Sequence, residues 1–165
     1  MKKFMTDKIK NFRQHNHDTC VETALSAAQN ICDSQHLKLT PARKRVLEIL
    51  LESHSALGAY EILDRLSSEG GKAQPPVVYR ALEFLVGNGL AHKIEQLNAF
   101  VACEHSHKDH NPAFMICKKC KRVAEAEVPN VPSTLRQQAK DTGFVIEQTV
   151  IEARGICPAC IEPTQ

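Results

Sequence analysis

The chain has 165 residues, of which 42% are hydrophobic and 24% are charged, and its formal net charge is only +2 at pH 7. These values are ordinary for one globular domain or two small ones, and no strongly basic domain points directly to nucleic acid. No apolar run is long enough to span a membrane, and the N-terminus lacks the apolar core of a signal peptide. We therefore expect a cytoplasmic protein with no membrane partner.

Helical patterns fill the first half of the chain. Apolar residues recur at helical spacing in four segments, and two extended segments follow. Thr40 and Pro41 have the residue types of an N-cap and a first helical position. The predicted helices are Thr19–Cys32, a segment from Pro41 through Leu51, Ala59–Leu66 and a segment from Pro75 through Val86, followed by extended segments Leu90–Leu97 and Ala99–Cys103.

This order of elements predicts a winged helix-turn-helix domain over residues 19–97, behind a flexible basic arm at residues 1–18. The fourth helix would enter the major groove of DNA with Tyr79, Arg80 and Glu83 on its exposed face. A plain three-helix bundle remains the alternative. Basic residues of the arm and at Arg43–Arg45 are equally compatible with a solvated surface.

The second half changes to short strands and predicts an α/β dimerisation domain over residues 98–165. Strands are predicted at Phe114–Cys117, Arg122–Val128 and Phe144–Ala153, with a helix at Pro132–Thr142. Elements this short cannot bury their own apolar faces, so we expect a homodimer. The predicted fold class is α+β.

Two Cys-x-x-Cys pairs are the strongest motif in the chain. They are Cys117 with Cys120 and Cys157 with Cys160. Four thiolates form a closed tetrahedral shell that suits a structural zinc ion. Disulfides, redox cysteines and simple burial are the alternatives, and the lack of an export signal disfavours disulfides.

A second group of possible ligands lies between the two halves. The group contains His92, Cys103, His105, His107, Asp109, His110 and Glu125. These residues can share one ion only if the halves fold toward each other, and solvated loop histidines are the alternative. His15, His17 and Cys20 offer a further possible site, although idle surface residues explain them better.

Three sequence runs resemble the ferric uptake regulator family, and its zinc-responsive branch most. They are Leu39–Arg43, Pro75–Leu85 and Gly89–Lys93, which accompany the paired Cys-x-x-Cys motifs. The resemblance implies a dimeric winged-helix repressor that binds operator DNA when loaded with metal. It places structural zinc on Cys117, Cys120, Cys157 and Cys160, regulatory zinc on His92, Cys103, His110 and Glu125, and DNA contacts on Tyr60 and Arg80.

The donor chemistry favours zinc as the sensed metal, with two Zn²⁺ per chain in all. The soft thiolate of Cys103 suits zinc better than iron(II) or manganese(II). The resemblance then implies repression of zinc-uptake genes, and an iron- or peroxide-responsive regulator of the same family is the alternative. Val77 and Gly58 depart from the family pattern, because relatives often carry Thr and Ser there.

Other classes of protein fit less well. The chain has no His-Glu-x-x-His motif, and Pro158 follows the first cysteine of its pair instead of preceding it, so neither a zinc protease nor a deaminase is indicated. We expect no enzyme and no small-molecule substrate. A metal-trafficking or scaffold protein is a further alternative, which the helix-turn-helix pattern disfavours.

Overall fold

A computed structural model describes residues 17–52, 55–70, 73–103, 112–127, 133–147 and 149–161. Residues 1–16 of the predicted arm, with His15, and the loop residues His105, His107, Asp109 and His110 lie outside this part of the chain, whereas His17 and Asp18 of the arm begin a helix. The helices are α1 His17–Ser34, α2 Pro41–Leu51, α3 Ala59–Ser68, α4 Pro75–Gly87 and α5 Ser133–Thr142. The strands are β1 Ala91–Ile94, β2 Ala99–Ala102, β3 Pro112–Cys117, β4 Val123–Glu127 and β5 Ile151–Gly155.

The start of α2 follows from its sequence as predicted. Thr40 has extended backbone angles, and its hydroxyl accepts a 3.4 Å hydrogen bond from the backbone N–H of Arg43. Pro41 occupies the first turn, where its missing N–H costs nothing. Gly58 begins α3 without a capping side chain, and the carboxylate of Glu61 accepts its N–H at 2.7 Å instead.

The first hydrophobic core lies among α1, α2, α3 and α4. Helix α4 buries Val78, Ala81, Leu82 and Leu85, which recur at helical spacing. Cys32 of α1 is fully buried in the same core. The apolar stripes therefore position α4 with its opposite face toward solvent.

Strands β1 and β2 form the wing as an antiparallel pair in which Ala91 lies opposite Ala102. The connecting turn places Asn98 in the left-handed region with φ 45°. Leu57 exchanges backbone hydrogen bonds of 2.8 and 2.9 Å with Phe100, so a third extended segment joins the wing. The predicted domain boundary between residues 97 and 98 falls inside this hairpin.

The second sheet has the order β4-β3-β5, with β3 antiparallel to β4 and parallel to β5. The predicted α+β fold class is confirmed. The third strand is shorter than expected and begins at Ile151, whereas Phe144 and Val145 lie outside any strand and are 69% and 79% exposed. Their apolar side chains are therefore mostly exposed to solvent in the described part of the chain.

A second hydrophobic cluster joins the wing to this sheet. Ile94 of β1 and Val101 of β2 pack with Phe114, Ile116 and Val123 of the sheet, and all five are buried. The two halves of the chain therefore meet along an apolar contact. This contact brings the wing over one face of the sheet.

The basic cluster at the start of α2 is engaged within the protein. The guanidinium of Arg43 lies 3.6 Å from the centre of the Phe84 ring. Arg45 contacts the carboxylates of Glu48, Glu52 and Glu69. These contacts favour a structural role for both arginines.

None of the helices among the described residues is long and apolar enough to cross a membrane.

Candidate metal centres and nucleic-acid interface

The four paired cysteines converge at one end of the second sheet. Cys117 is the last residue of β3 and pairs with Gly155, the last residue of the neighbouring parallel strand β5. The two Cys-x-x-Cys motifs therefore lie at the same end of these strands. The four Sγ atoms all lie within 4.8 Å of one another. The Sγ atoms of Cys120 and Cys157 are 3.7 Å apart, and a tetrahedral site with Zn–S bonds of about 2.3 Å requires about 3.8 Å.

The electrostatics of the four thiols also suit a cation. Backbone N–H groups of Cys120 and Cys157 point at the sulfur of Cys117 and lower its pKa to about 6. Hydrogen bonding with Cys157 and Cys120 raises the pKa of Cys160 to about 12, and burial raises the pKa of Cys120. Four adjacent thiols cannot all ionise together without a positive charge between them. All four are free thiols in the structure, so the cluster contains no disulfide.

The second group of ligands comes from both halves of the chain. His92 lies on β1, Cys103 directly follows β2, and Glu125 lies on β4. One ligand atom from each lies within 4.8 Å of the other two. The Nε2 atom of His92 is 3.3 Å from a carboxylate oxygen of Glu125, and the Sγ atom of Cys103 is 4.0 Å from the same oxygen.

Burial makes this second cluster chemically unusual. Glu125 and Cys103 are each 3% exposed, and Glu125 is the one charged residue that is buried within the described ranges. A buried carboxylate is costly unless a positive charge or metal compensates it. One imidazole, one thiolate and one carboxylate provide the nitrogen, sulfur and oxygen donors that Zn²⁺ accepts. The three described residues therefore fit a zinc ion.

Two residues near this cluster were missed by sequence reasoning. The ring of Phe114 lies 5.1 Å from the ring of His92, at an interplanar angle of 58°. Glu152 of β5 accepts hydrogen bonds from the wing turn. Both lie in strand patterns that indicate only burial or exposure, so no signal in the sequence identified their contacts.

The exposed face of α4 carries the predicted DNA-contacting residues. Tyr79 is 48% exposed, and Arg80 is exposed beside it. Tyr60 is 68% exposed at the start of α3. A groove of about 450 Å³ separates this face of α4 from the wing. Its lining includes Tyr79, Arg80, Glu83, Lys93 and Phe100.

Fold and site together define a winged-helix protein with a metal-type cysteine cluster and a second donor cluster at the junction of its halves. The sequence pattern of the ferric uptake regulator family matches residues 34–154. The chain belongs to the ferric uptake regulator family.

Curated relatives include a zinc and a peroxide regulator. The chain is 37% identical over 145 residues to the zinc uptake regulation protein of Escherichia coli (strain K12), covering 87% of this chain and 85% of that protein. It is 23% identical over 126 residues to the peroxide-responsive repressor PerR of Staphylococcus epidermidis (strain ATCC 12228 / FDA PCI 1200), covering 76% of this chain and 83% of that protein.

Solved structures show the same likeness. The chain superposes on a zinc uptake regulator complexed with zinc and DNA with a TM-score of 0.79 at 37% identity, covering 85% of this chain and 94% of that one. The TM-score is 0.76 for holo XcZur and 0.51 for apo XcZur, each at 38% identity. These alignments cover 84% and 86% of this chain and 96% and 98% of the two XcZur chains.

Proposed function

We propose that this protein is a zinc-responsive transcriptional repressor, which binds operator DNA as a metal-loaded homodimer and represses zinc-uptake genes. The observation that carries the proposal is the buried cluster of His92, Cys103 and Glu125. Its donors come from the wing and from the second sheet, so a shared ion would fix the position of one half against the other. The likeness to zinc uptake regulators supports the choice of metal.

The cluster of Cys117, Cys120, Cys157 and Cys160 is proposed as the structural zinc site. It joins the ends of β3 and β5 and has no open ligand position. When bound there, zinc would compensate the four thiolates and link the two strands. A closed cysteine shell of this kind contributes folding energy and has no role in sensing.

The second cluster is proposed as the regulatory site, with His110 as the fourth ligand and two Zn²⁺ per chain in total. Glu125 holds a carboxylate on the sheet, and His92 and Cys103 hold an imidazole and a thiolate on the wing. The ion would supply the positive charge that holds these donors together. Because the wing is continuous with α4, closing the cluster orients the recognition helix.

Tyr60, Tyr79 and Arg80 are proposed to contact the operator. Arg80 can donate two hydrogen bonds to guanine or a charge-assisted bond to phosphate. The tyrosine hydroxyls can contact phosphate.

The two functional units we propose are the winged helix and the zinc-binding dimerisation domain. The whole hairpin through Cys103 is assigned to the winged helix.

A homodimer is proposed because two exposed features adjoin β5. Among the described residues that strand is an edge of the sheet, so a second copy could pair with its outer side. Phe144, Val145 and Val150 precede it and are 69%, 79% and 43% exposed. A regulator of this kind is not an enzyme, and its DNA partner implies the cytoplasm as its compartment.

An iron- or peroxide-responsive regulator is the alternative within the family. The thiolate of Cys103 beside Glu125 argues against it, because soft sulfur donors favour zinc over iron(II). The test is an operator gel shift of purified protein across a series of free zinc, iron(II) and manganese(II) concentrations, with and without peroxide. Retardation by zinc at the lowest free concentration supports the proposal. Loss of DNA binding on peroxide treatment of an iron-loaded protein, with no response to zinc, would refute it.

A further inference from the structure

The contact between the wing and the second sheet has two polar ends, and only one of them is the donor cluster. At the other end, the carboxylate of Glu152 accepts hydrogen bonds from the backbone N–H groups of Glu95 and Gln96 at 2.7 and 3.0 Å. The side-chain amide of Gln96 returns a 3.3 Å hydrogen bond to the backbone carbonyl of Glu152. These three bonds join residues more than fifty positions apart in sequence.

The two N–H groups that donate to the Glu152 carboxylate lie at the start of a helical turn. Glu95–Leu97 is a short 3-10 turn between β1 and β2, and its first N–H groups have no partners within the turn. A carboxylate that accepts two such N–H groups is a charge-assisted cap, which is shorter and stronger than a neutral hydrogen bond. Here the cap comes from the opposite half of the chain.

The register of the sheet relates this cap to the proposed regulatory site. Phe114 of β3 lies opposite Glu125 of β4 and also opposite Glu152 of β5. Residues directly opposite one another on neighbouring strands project from the same face of a sheet. Glu125, Phe114 and Glu152 therefore form one row across the face on which the wing lies.

Each member of this row contacts the wing. Glu125 approaches His92 and Cys103, Phe114 packs on the ring of His92, and Glu152 binds the wing turn. Of the three contacts, only the one at Glu125 joins a proposed zinc ligand of the sheet to proposed zinc ligands of the wing. The structure also matches holo XcZur better than apo XcZur, with TM-scores of 0.76 and 0.51.

We infer that Glu152 is a positioning residue for the regulatory zinc site. Its hydrogen bonds to the wing turn stabilise the arrangement in which His92 and Cys103 lie beside Glu125. This inference rests on the proposed function of that cluster. A ligand that binds only one arrangement of a protein loses apparent affinity in proportion to the population of that arrangement. Removing the cap should therefore weaken zinc binding without removing a ligand.

The experiment compares Glu152→Ala with the wild type and with Glu22→Ala, which removes an exposed carboxylate from α1. Zinc affinity of the second site is measured by competition with a chelator while the four-cysteine cluster stays loaded. We expect Glu152→Ala to bind this zinc roughly three- to tenfold more weakly. Glu22→Ala should match the wild type, and Glu152→Gln, which keeps one acceptor oxygen, should fall between.

Operator affinity is the second measurement, because it distinguishes a positioning role of Glu152 from general damage to the fold. Excess zinc should restore operator affinity in the first case but not in the second. At saturating zinc, the operator affinity of Glu152→Ala should return to within about twofold of the wild type, since excess ligand restores the closed arrangement. Unchanged zinc affinity in Glu152→Ala would overturn the inference. So would a weakened operator affinity that excess zinc does not restore.

The proposed function and this inference fail in different ways. Wild-type protein that binds operator equally with and without zinc refutes the proposed function, whatever the Glu152 variants do. Wild-type protein that responds to zinc, with Glu152→Ala responding at the same free zinc concentration, refutes the inference alone.

Discussion

The four paired cysteines lie at or just after the ends of two neighbouring parallel strands, and all four sulfur atoms are needed to complete a tetrahedral shell. We predict that Cys157→Ser removes zinc from this shell and unfolds the second half of the chain, because metal-binding energy here is folding energy. Zinc content per chain and circular dichroism measure the loss.

The matched control is Cys32→Ala, which also removes a buried thiol. Cys32 lies in the helical core and is no part of either donor cluster. This control should lower stability by packing loss yet keep its full zinc content. A Cys157→Ser protein that stays folded and zinc-responsive would contradict the structural assignment.

Cys103 belongs to the second cluster, and its loss should have a different result. We predict that Cys103→Ser stays folded with about one zinc per chain, since the four-cysteine shell is closed without it. It should fail to bind operator at zinc concentrations that saturate the wild type. Metal analysis and gel shifts on the same sample test this, and zinc-dependent shifts at wild-type affinity would place the sensor elsewhere.

Arg80 lies on the exposed face of α4, opposite the buried Val78, Leu82 and Leu85. We predict that Arg80→Ala keeps its zinc and its stability but loses roughly 1–3 kcal/mol of operator affinity per half-site. Arg136→Ala on exposed α5 is the control and should bind normally. Equal weakening toward operator and scrambled DNA would instead make Arg80 a phosphate contact.

Residue types and spacing were sufficient to predict the four-cysteine group but not the ligand set of the second cluster. The Cys-x-x-Cys pairs specify a local geometry, and His92, Cys103 and Glu125 were placed by family resemblance. Phe114 and Glu152 were not predicted, because their roles depend on strand register. Register becomes visible only once β3 lies between β4 and β5.

Between elements, a charged network links α2 to α3. Arg45 of α2 contacts Glu48, Glu52 and Glu69, and Arg65 of α3 lies 3.2 Å from Glu52. The same Arg45 contacts lower the pKa of the Glu69 carboxyl and raise the pKa of the Arg45 guanidinium. The network is partly exposed, so its contribution to stability is small.

We predict that Arg45→Met destabilises the protein by about 1 kcal/mol at neutral pH, with zinc content unchanged. Lys44→Met is the control, because Lys44 is exposed on the same helix and should have little effect. The pKa of Glu69 is lower in the folded protein than in the unfolded chain. Its ion pair with Arg45 therefore stabilises the fold fully above the unfolded-state pKa, and this stabilisation is lost as the pH falls through the folded-state pKa. The difference in melting temperature between the wild type and Arg45→Met should become smaller below about pH 4. A difference that stays constant with pH would contradict this account.

Helix limits were predicted more closely than strand limits, and the reason is physical. Thr40 with Pro41, and Gly58, mark helix starts by local chemistry that needs no partner. A strand ends where its neighbour ends, which local sequence does not state. The segment before Ile151 has apolar residues typical of a strand, yet β3 pairs only from Ile151 onward.

At the scale of the whole molecule, the halves share a buried apolar contact and a donor cluster. Ile94 and Val101 of the wing pack on the second sheet, so the wing is common to both halves. The predicted boundary between residues 97 and 98 separates the two strands of the wing. Because β1 pairs with β2, a division after Cys103 agrees better with the strand pairing.

The exposed segment before β5 leads to a prediction about assembly. Phe144 and Val145 are both more than two-thirds exposed and precede β5, which is an edge strand among the described residues, so a second copy related by a two-fold axis can cover them and extend the sheet. We predict that Val145→Asp gives a monomer, because the new carboxylate would be buried without a partner in the dimer.

This monomer should keep about two zinc ions per chain, since neither donor cluster includes Val145. It should still bind operator far more weakly, because one chain contacts one half-site and the second recognition helix is no longer tethered at the right spacing. Sedimentation and gel shifts measure both effects, and Ser26→Asp, which places the same charge at an exposed position of α1, should remain dimeric. A Val145→Asp protein that sediments as a dimer would exclude this surface as the interface, and a monomer with wild-type operator affinity would show that DNA recognition needs no dimer.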